Sequence, residues 1–195
     1  MVEGRQMKLT QVGDTLDKVE DEVVLCTDCR LCKTRKRAVP GEGSGTARIM
    51  FVGEAPGRQE DENGRPFVGA AGKLLTELLE SIGLRREDVY ITNVVKCRPP
   101  ENRTPFEDEA KACRNYLERQ IFLISPKIVC PMGNSAIGAL LATKSAVSEL
   151  RGSAITNDGV TYLPMYHPAA ALYDPKLRTV LEKDFEKLKE MAQTF

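Results

Sequence analysis

The sequence predicts a single α/β domain of three layers, an α/β/α sandwich in which helices cover both faces of a central, four-stranded and mostly parallel sheet. Short apolar runs of strand length alternate along the chain with amphipathic helical patterns, as they do in parallel sheets. The predicted strands are apolar at nearly every position, which is typical of strands buried on both faces. The 195 residues suffice for one such core, so residues 1–195 are expected to form one domain.

The first predicted strand, residues 49–52, ends in the loop sequence GEAPG of residues 53–57. Gly53 and Gly57 permit close approach of the backbone to a neighbour, and Pro56 fixes the turn between them. In open α/β sheets, ligands bind beyond the carboxyl ends of the strands. This loop is therefore a candidate binding site, although a plain strand-to-helix turn has the same composition.

The remaining elements follow from the same patterns. Three further strands are predicted, at residues 89–95, 127–132 and 161–166. Helices are predicted at residues 14–25, 70–84, 104–125, 135–141 and from residue 175 onward. Thr104 and Glu107 have the spacing of a capping box, and Asp174 is the expected cap of the last helix. Residues 1–13 are expected to be loosely held, residues 58–69 have little hydrophobic pattern, and residues 142–158 look irregular.

The composition is that of an ordinary globular protein with a formal net charge of zero. A wholly basic nucleic-acid binder is thereby excluded, although local basic patches can still bind phosphate. The first residues have no apolar core of the kind that signal peptides need, and no apolar run approaches the length of a membrane span. An intracellular protein with no membrane partner is expected.

Six cysteines in a chain of this kind favour a metal or cluster site over disulfides. Cys26 and Cys29 have a Cys-x-x-Cys spacing within a basic, glycine-rich segment, residues 26–45, and Cys97 and Cys113 can supply two further thiolates. Cys32 extends the run, so that Cys29 and Cys32 form an alternative first pair. Cys130 lies inside an apolar strand and is expected in the core. Four thiolates accept either zinc or an iron–sulfur cluster.

Four motifs, in the same order along the chain, resemble those of the family 4 uracil-DNA glycosylases, the iron–sulfur enzymes of thermophilic archaea and bacteria. They are GEAPG (53–57), GRPFVGAAG (64–72), TNVVKCRPPENR (92–103) and HPAAAL (167–172). The resemblance implies the uracil-DNA glycosylase fold and a 4Fe–4S cluster on Cys26, Cys29, Cys97 and Cys113, with Cys32 outside the ligand set. It also implies an enzyme that flips uracil out of single- or double-stranded DNA and hydrolyses its N-glycosidic bond, leaving an abasic site. Such an enzyme is expected to act as a monomer in the cytoplasm of a prokaryotic cell.

The chemistry of uracil excision assigns roles to three residues. Asn93, at the end of the second strand, can donate to uracil O4 and accept from N3–H, a polarity opposite to that of cytosine. His167, the single histidine, can donate an N–H to uracil O2 as negative charge develops there. Phe67 offers a ring on which the flipped base can stack.

The GEAPG loop departs from the scheme of the family 1 enzymes. Ala55 stands where those enzymes have a water-orienting aspartate, and Gly57 stands where they have the tyrosine that excludes thymine. Glu54, Glu60 and Asp61 are candidate carboxylates for activating water, and Glu60 is also the candidate steric gate. Asn102 is a further candidate for holding water or phosphate. The predicted pocket residues are Gly53, Glu54, Ala55, Gly57, Glu60, Asp61, Phe67, Asn93 and His167.

Contacts with DNA are predicted for Arg98 and Arg103, which can bind phosphate, and for Leu172, which can enter the stack as a wedge from a loop. Two other functions fit the same residues. One is a glycosylase of broader base choice, acting on hypoxanthine or mismatched thymine, and the other is a non-enzymatic cysteine-metal module that binds nucleic acid. A sliding-clamp partner is compatible with a repair enzyme, but no clamp-binding motif is evident.

Overall fold

A computed structural model describes residues 13–157 and 159–193. Its strands are β1 (Glu42–Gly43), β2 (Ile49–Gly53), β3 (Tyr90–Asn93), β4 (Ile128–Pro131), β5 (Ile155–Asn157) and β6 (Val160–Tyr162). Its helices are α1 (Leu16–Leu25), α2 (Arg58–Asn63), α3 (Ala70–Ser81), α4 (Glu107–Ile124), α5 (Asn134–Leu141), α6 (Val147–Leu150), α7 (Pro168–Tyr173) and α8 (Lys176–Ala192). The expectation for residues 1–13 falls, except for Gly13, outside the described residues.

The strands of the described ranges form one six-stranded sheet in the order β1-β3-β2-β4-β6-β5. The four inner strands are parallel, and β1 and β5 pair antiparallel at the two edges. The predicted number of four strands is therefore wrong, whereas the parallel centre is confirmed. Both missed strands are only two or three residues long, and they contain too few apolar side chains to produce a hydrophobic pattern.

Successive side chains of β2 point to opposite faces of the sheet, and both faces are buried. Met50 and Val52 join a core formed with α1 and α4, whereas Ile49 and Phe51 join a second core formed with α3 and α8. This arrangement explains why the strand is apolar throughout, and it confirms the predicted α/β/α layers. Cys130 is fully buried on β4, as predicted for a core residue.

Several predicted boundaries are corrected. Helix α4 begins after Phe106, whose backbone N–H donates to the Glu109 carboxylate at 2.8 Å, so the capping box predicted from Thr104 and Glu107 is wrong. Helix α2 forms within residues 58–69 and α6 within residues 142–157, where the sequence indicated no regular structure. Asp174 accepts the backbone N–H of Lys176, in agreement with its predicted capping role.

The connections between the parallel strands change side at β2, in the centre of the sheet. From β2 the chain crosses through α3 to β3 on one side, and it then crosses through α4 to β4 on the other side of β2. Ligand sites of open α/β sheets lie at such a switch, beyond the carboxyl ends of the strands. Gly53 and Asn93 are register partners at this edge. No helix of the described residues is long and apolar enough to cross a membrane.

Candidate active site

The floor of the candidate pocket is built where β2 and β3 end. A Cβ atom at Gly53 would lie 2.4 Å from Oδ1 of Asn93 and 2.7 Å from Cζ of Phe67, so only glycine lets the amide and the ring come this close. Asn93 is 1% exposed, and its Oδ1 has no hydrogen-bond partner among the described residues. A buried carbonyl oxygen without a partner costs about 1–3 kcal/mol, which a ligand with an N–H in this place would offset.

Phe67 adopts a left-handed conformation, with φ of 52°, that is unfavourable for an aromatic residue. Arg86 holds this turn by donating to the carbonyl oxygens of Pro66 at 2.8 Å and of Phe67 at 3.1 Å. Gly72 leaves the room that the turn needs, because a Cβ there would lie 1.8 Å from the carbonyl oxygen of Phe67. These contacts fix the direction in which the ring points.

His167 lies at the N-terminus of α7 and stacks on Phe67, with 5.3 Å between the ring centroids. Its Nδ1 accepts the backbone N–H of Ala169 at 3.1 Å, so the proton of the neutral ring is on Nε2. Burial lowers the pKa of His167 to about 4, and the negative charge of Glu60 opposes this shift only in part. The imidazole is therefore neutral at physiological pH and offers one N–H as a donor.

Glu54 and Glu60 occupy different positions in the GEAPG region. The Glu54 carboxylate, directly after β2, accepts a hydrogen bond from the hydroxyl of Ser135 on α5. The Glu60 carboxylate accepts the backbone N–H groups of Gly57 at 3.1 Å and of Val68 and Gly69 at 2.9 Å each. Glu60 thus joins the GEAPG loop to the segment that carries the phenylalanine ring.

Two residues predicted for the pocket face another part of the molecule. Asp61 is 2% exposed, and its carboxylate accepts the backbone N–H of Lys36 at 2.9 Å, so it secures the basic segment. Ala55 packs against the core between the sheet and α4. Among the described residues, no side-chain hydrogen bond joins Asp61 to Phe67, Asn93 or His167, so its place in the pocket stays a prediction.

The two arginines predicted to contact DNA differ in the hydrogen bonds that they make within the protein. Arg103 makes two hydrogen bonds to the buried Glu109, at 2.7 and 2.8 Å, and lies 3.8 Å from the centre of the Phe106 ring. Its guanidinium is thus already paired within the protein, and its contact with phosphate stays a prediction. Arg98 donates to the amide oxygen of the exposed Asn102 at 2.7 Å. No contact among the described residues links this pair to the pocket.

Leu172 is 49% exposed on the short helix α7, not in a loop as predicted. The same helix begins directly after His167, so the two side chains are held in a fixed relation. Tyr173, which is 90% exposed, follows it. An exposed apolar pair beside a base pocket is suited to entering a base stack.

The cysteines of the predicted cluster site line one small cavity, which is also lined by Cys32 and Arg35. Cys97 Sγ accepts from the Arg35 guanidinium at 3.0 Å, and Cys113 Sγ accepts from the backbone N–H of Lys96 at 3.2 Å. Cys26 and Cys29 pack against the core that contains Cys97 and Cys113. Burial raises the pKa of the Cys113 thiol to about 12, so binding of a metal there would release its proton.

Three neighbours of the site were not predicted from the sequence as functional residues. Lys96, Arg86 and Ser135 all contact residues of the pocket or the cysteine cavity. Only Lys96 leaves a signal, because it is a charged residue between the apolar end of β3 and a cysteine. The other two come together with the site only through folding.

Comparison with known proteins agrees with this geometry. A family model described as the uracil DNA glycosylase superfamily matches residues 40–193. Three curated relatives are type-4 uracil-DNA glycosylases. That of Sulfurisphaera tokodaii is 50% identical over 190 residues, which are 93% of this chain and 86% of that protein. That of Saccharolobus solfataricus is 53% identical over 186 residues, which are 91% of this chain and 86% of that protein. That of Archaeoglobus fulgidus is 47% identical over 187 residues, which are 92% of this chain and 94% of that protein.

The fold and the site therefore define a protein of the uracil-DNA glycosylase superfamily. Identity of this extent over nearly the whole of both chains narrows the assignment. The chain belongs to the type-4 uracil-DNA glycosylases.

Proposed function

We propose that the pocket formed by Gly53, Phe67, Asn93 and His167 holds a uracil flipped out of DNA and stabilises it as it leaves the deoxyribose. The chain is a uracil-DNA glycosylase, which removes uracil from DNA by hydrolysis of the N-glycosidic bond. The assignment of residues to steps is the proposal. The observation that carries it is the buried Oδ1 of Asn93, which has no partner among the described residues.

The Asn93 amide is proposed to read the edge of the base. Its Oδ1 accepts uracil N3–H and its amide nitrogen donates to O4. Cytosine has an acceptor at N3 and a donor at position 4, so both contacts would become repulsive. A site built on such hydrogen bonds rejects the wrong base because its own buried groups are left unpaired.

The leaving group is proposed to be stabilised by His167. As the bond to the sugar lengthens, negative charge collects on the pyrimidine, and Nε2–H donates to O2. The donor is a neutral ring and not an imidazolium, since its conjugate acid is formed only near pH 4. Glu54, oriented by Ser135, is the proposed group that orients water or offsets the positive charge of the sugar. Asn102, exposed and bound to Arg98, remains a sequence-based prediction.

Exclusion of thymine is proposed to depend on Glu60. A Cβ at Gly57 would lie 2.8 Å from Glu60 Oε2, so this carboxylate fills the space that a side chain at position 57 would take. Three backbone N–H groups hold it there, and it cannot move aside without breaking them. A glycosylase that also acts on mismatched thymine would need the Glu60 carboxylate to make room for the methyl group of the base.

Replacement of Asn93 by alanine tests the reading of the base. We expect the single-turnover rate of uracil excision to fall about 10- to 100-fold, because about 1–3 kcal/mol of hydrogen bonding to the base is lost. The rate is measured with a uracil-containing oligonucleotide, followed by alkaline cleavage of the abasic product. Asn157→Ala, at an exposed position of β5, is the matched control and should excise at the wild-type rate. An unchanged rate in Asn93→Ala would refute the proposed role.

Leu172 is proposed to fill the place that the flipped base leaves in the stack. In Leu172→Ala we expect excision from double-stranded DNA to slow about tenfold, since unpairing and unstacking cost a few kcal/mol that the wedge partly offsets. Excision from single-stranded DNA, where little stacking is lost, should change much less. Phe122→Ala removes an apolar side chain of similar exposure from α4 and should slow neither substrate. Equal losses on both substrates would contradict the role of a wedge.

A 4Fe–4S cluster is proposed to occupy the cysteine cavity, with Cys26, Cys29, Cys97 and Cys113 as its ligands. Hydrogen bonds from Arg35 and from the Lys96 backbone already reach two of these sulfurs, as thiolate ligands of a cluster require. A single zinc ion needs its ligands at about 2.3 Å from one point. Within the described residues, no three cysteine, histidine or acidic side chains are grouped closely enough to hold one ion. When bound, the cluster would hold the basic segment to the sheet.

A further inference from the structure

Lys96 is the one lysine among the fully buried side chains of the described residues, and it is 1% exposed. It lies between the end of β3 and the predicted cluster ligand Cys97. Its Nζ donates to Oγ1 of Thr92 at 2.6 Å, to the carbonyl oxygen of Asn93 at 2.8 Å and to Oε1 of Gln120 at 2.7 Å. Every hydrogen of an ammonium group thus has an acceptor.

None of these three acceptors is a carboxylate. A buried cation without a paired anion is costly, and an apolar side chain of similar length would fill the same volume with less desolvation. Packing alone therefore gives no reason for a lysine here. What the lysine adds is three directed hydrogen bonds that converge on one atom.

These bonds join the strand that carries the base-reading amide to the helix that carries a predicted cluster ligand. Gln120 lies on α4, as Cys113 does, and its Nε2 donates to Tyr90 Oη at 3.1 Å. The backbone N–H of Lys96 donates to Cys113 Sγ at 3.2 Å. The residue therefore binds α4 with its side chain and with its main chain.

The Asn93 amide needs such support because Oδ1, at its tip, has no partner within the described residues. Its direction follows from its backbone and from the contacts with Gly53 and Phe67. The Lys96 Nζ donates to the carbonyl oxygen of Asn93 itself, at 2.8 Å. The peptide that follows Asn93 is thus held at both ends, because the N–H of Val94 donates to the carbonyl oxygen of Gly53 at 2.9 Å.

We propose that Lys96 is a positioning residue for uracil recognition, which fixes the end of β3 to α4 and thereby holds the Asn93 amide in the orientation that uracil requires. This inference rests on the proposed role of Asn93. It assigns to the cluster-bearing helix a part in base recognition, exerted through one side chain.

The test is Lys96→Met, which keeps the length of the side chain and removes its hydrogen bonds. We expect the single-turnover rate at saturating enzyme to fall up to about 10²-fold, the effect of a small displacement of a positioning group. The Kd for DNA that contains an abasic site should stay at the wild-type value, because that ligand has no base for Asn93 to read. Iron content should also stay unchanged. Lys187→Met, on the exposed face of α8, is the control and should match the wild type.

A double-mutant cycle with Asn93→Ala shows through which residue Lys96 acts. If it acts through Asn93, Lys96→Met should slow excision far less in the Asn93→Ala protein than in the wild type. Full additivity of the two effects would overturn the inference, as would a wild-type rate in Lys96→Met. If Lys96→Met does not fold, Thr92→Val removes one acceptor at nearly constant volume, and an unchanged rate there would likewise overturn it. If Asn93→Ala itself excises at the wild-type rate, the proposed base reading fails, and this inference fails with it.

Discussion

Replacement of His167 by alanine is expected to slow uracil excision by about 10²- to 10³-fold while the protein stays folded. The loss corresponds to about 2.7–4 kcal/mol, the usual effect of removing one donor that stabilises a developing anion. The Nδ1 contact with Ala169 and the stack on Phe67 fix the ring so that its remaining N–H has one direction. Single-turnover excision measures the loss, and thermal unfolding checks the fold.

The pH dependence of the excision rate distinguishes a neutral His167 ring from an imidazolium. Since burial lowers the pKa of His167 to about 4, the wild-type excision rate should show no histidine titration near pH 6.5. The rate should decline only as the pH falls toward 4, when Nδ1 gains a proton and can no longer accept the N–H of Ala169. An inflection near pH 6.5 that disappears in His167→Ala would contradict this assignment.

The lowered pKa of His167 also makes the free energy of unfolding depend on pH. The pKa of this histidine is lower in the folded than in the unfolded protein, so the unfolded chain binds the proton more readily. The contribution of the neutral ring is complete above about pH 6.5 and is lost progressively as the pH falls from there toward 4. His167→Ala should therefore make the free energy of unfolding less dependent on pH within this range.

Replacement of Cys113 by alanine is expected to abolish cluster binding and to destabilise the whole domain. Loss of a bound metal group is one of the few single changes that cost about 4 kcal/mol or more. For a chain of this size that is a fall of about 10 °C or more in Tm. The large effect follows from the position of Cys113 in the core between α4 and the sheet, where it meets segments distant in sequence. Iron analysis, visible absorbance and thermal unfolding measure the outcome.

Cys32 provides the matched control, because it lines the same cavity but lies outside the proposed ligand set. Cys32→Ser should retain the iron, the absorbance and the Tm of the wild type. Loss of iron in Cys32→Ser with retention in Cys26→Ser would replace Cys26 by Cys32 as the ligand. A colourless wild-type protein that contains zinc would refute the cluster itself.

The parts of the fold that were predicted from the sequence are those that local patterns determine. The strand predicted at residues 49–52 and the helix predicted at residues 70–84 each have a clear hydrophobic pattern of their own, and both are confirmed. The edge strands β1 and β5 were missed because an edge strand is defined by its partner and not by its own side chains. The start of α4 was misplaced because Glu109, not Glu107, reaches back to cap it.

The residues of the candidate site likewise fall into those that the sequence predicts and those whose partners only the folded structure shows. Gly53, Phe67, Asn93 and His167 stand in recognisable motifs at strand ends, and the structure brings them together. The partners of Arg103 and Asp61 could not be predicted, because a sequence does not show which group a charged side chain meets after folding. Arg103 meets a buried glutamate, and Asp61 meets a backbone N–H of the basic segment.

Helix α2 has only six residues, yet consecutive carboxylates on it bind two different segments of the chain. Glu60 holds the backbone on which the phenylalanine ring is mounted, and Asp61 holds Lys36 in the segment that follows the first cysteines. Unfolding of this one turn would release both regions together. Local opening of the candidate pocket and release of the cysteine segment should therefore be one cooperative event, so that any group bound by the cysteines would also limit how often the pocket loses its shape.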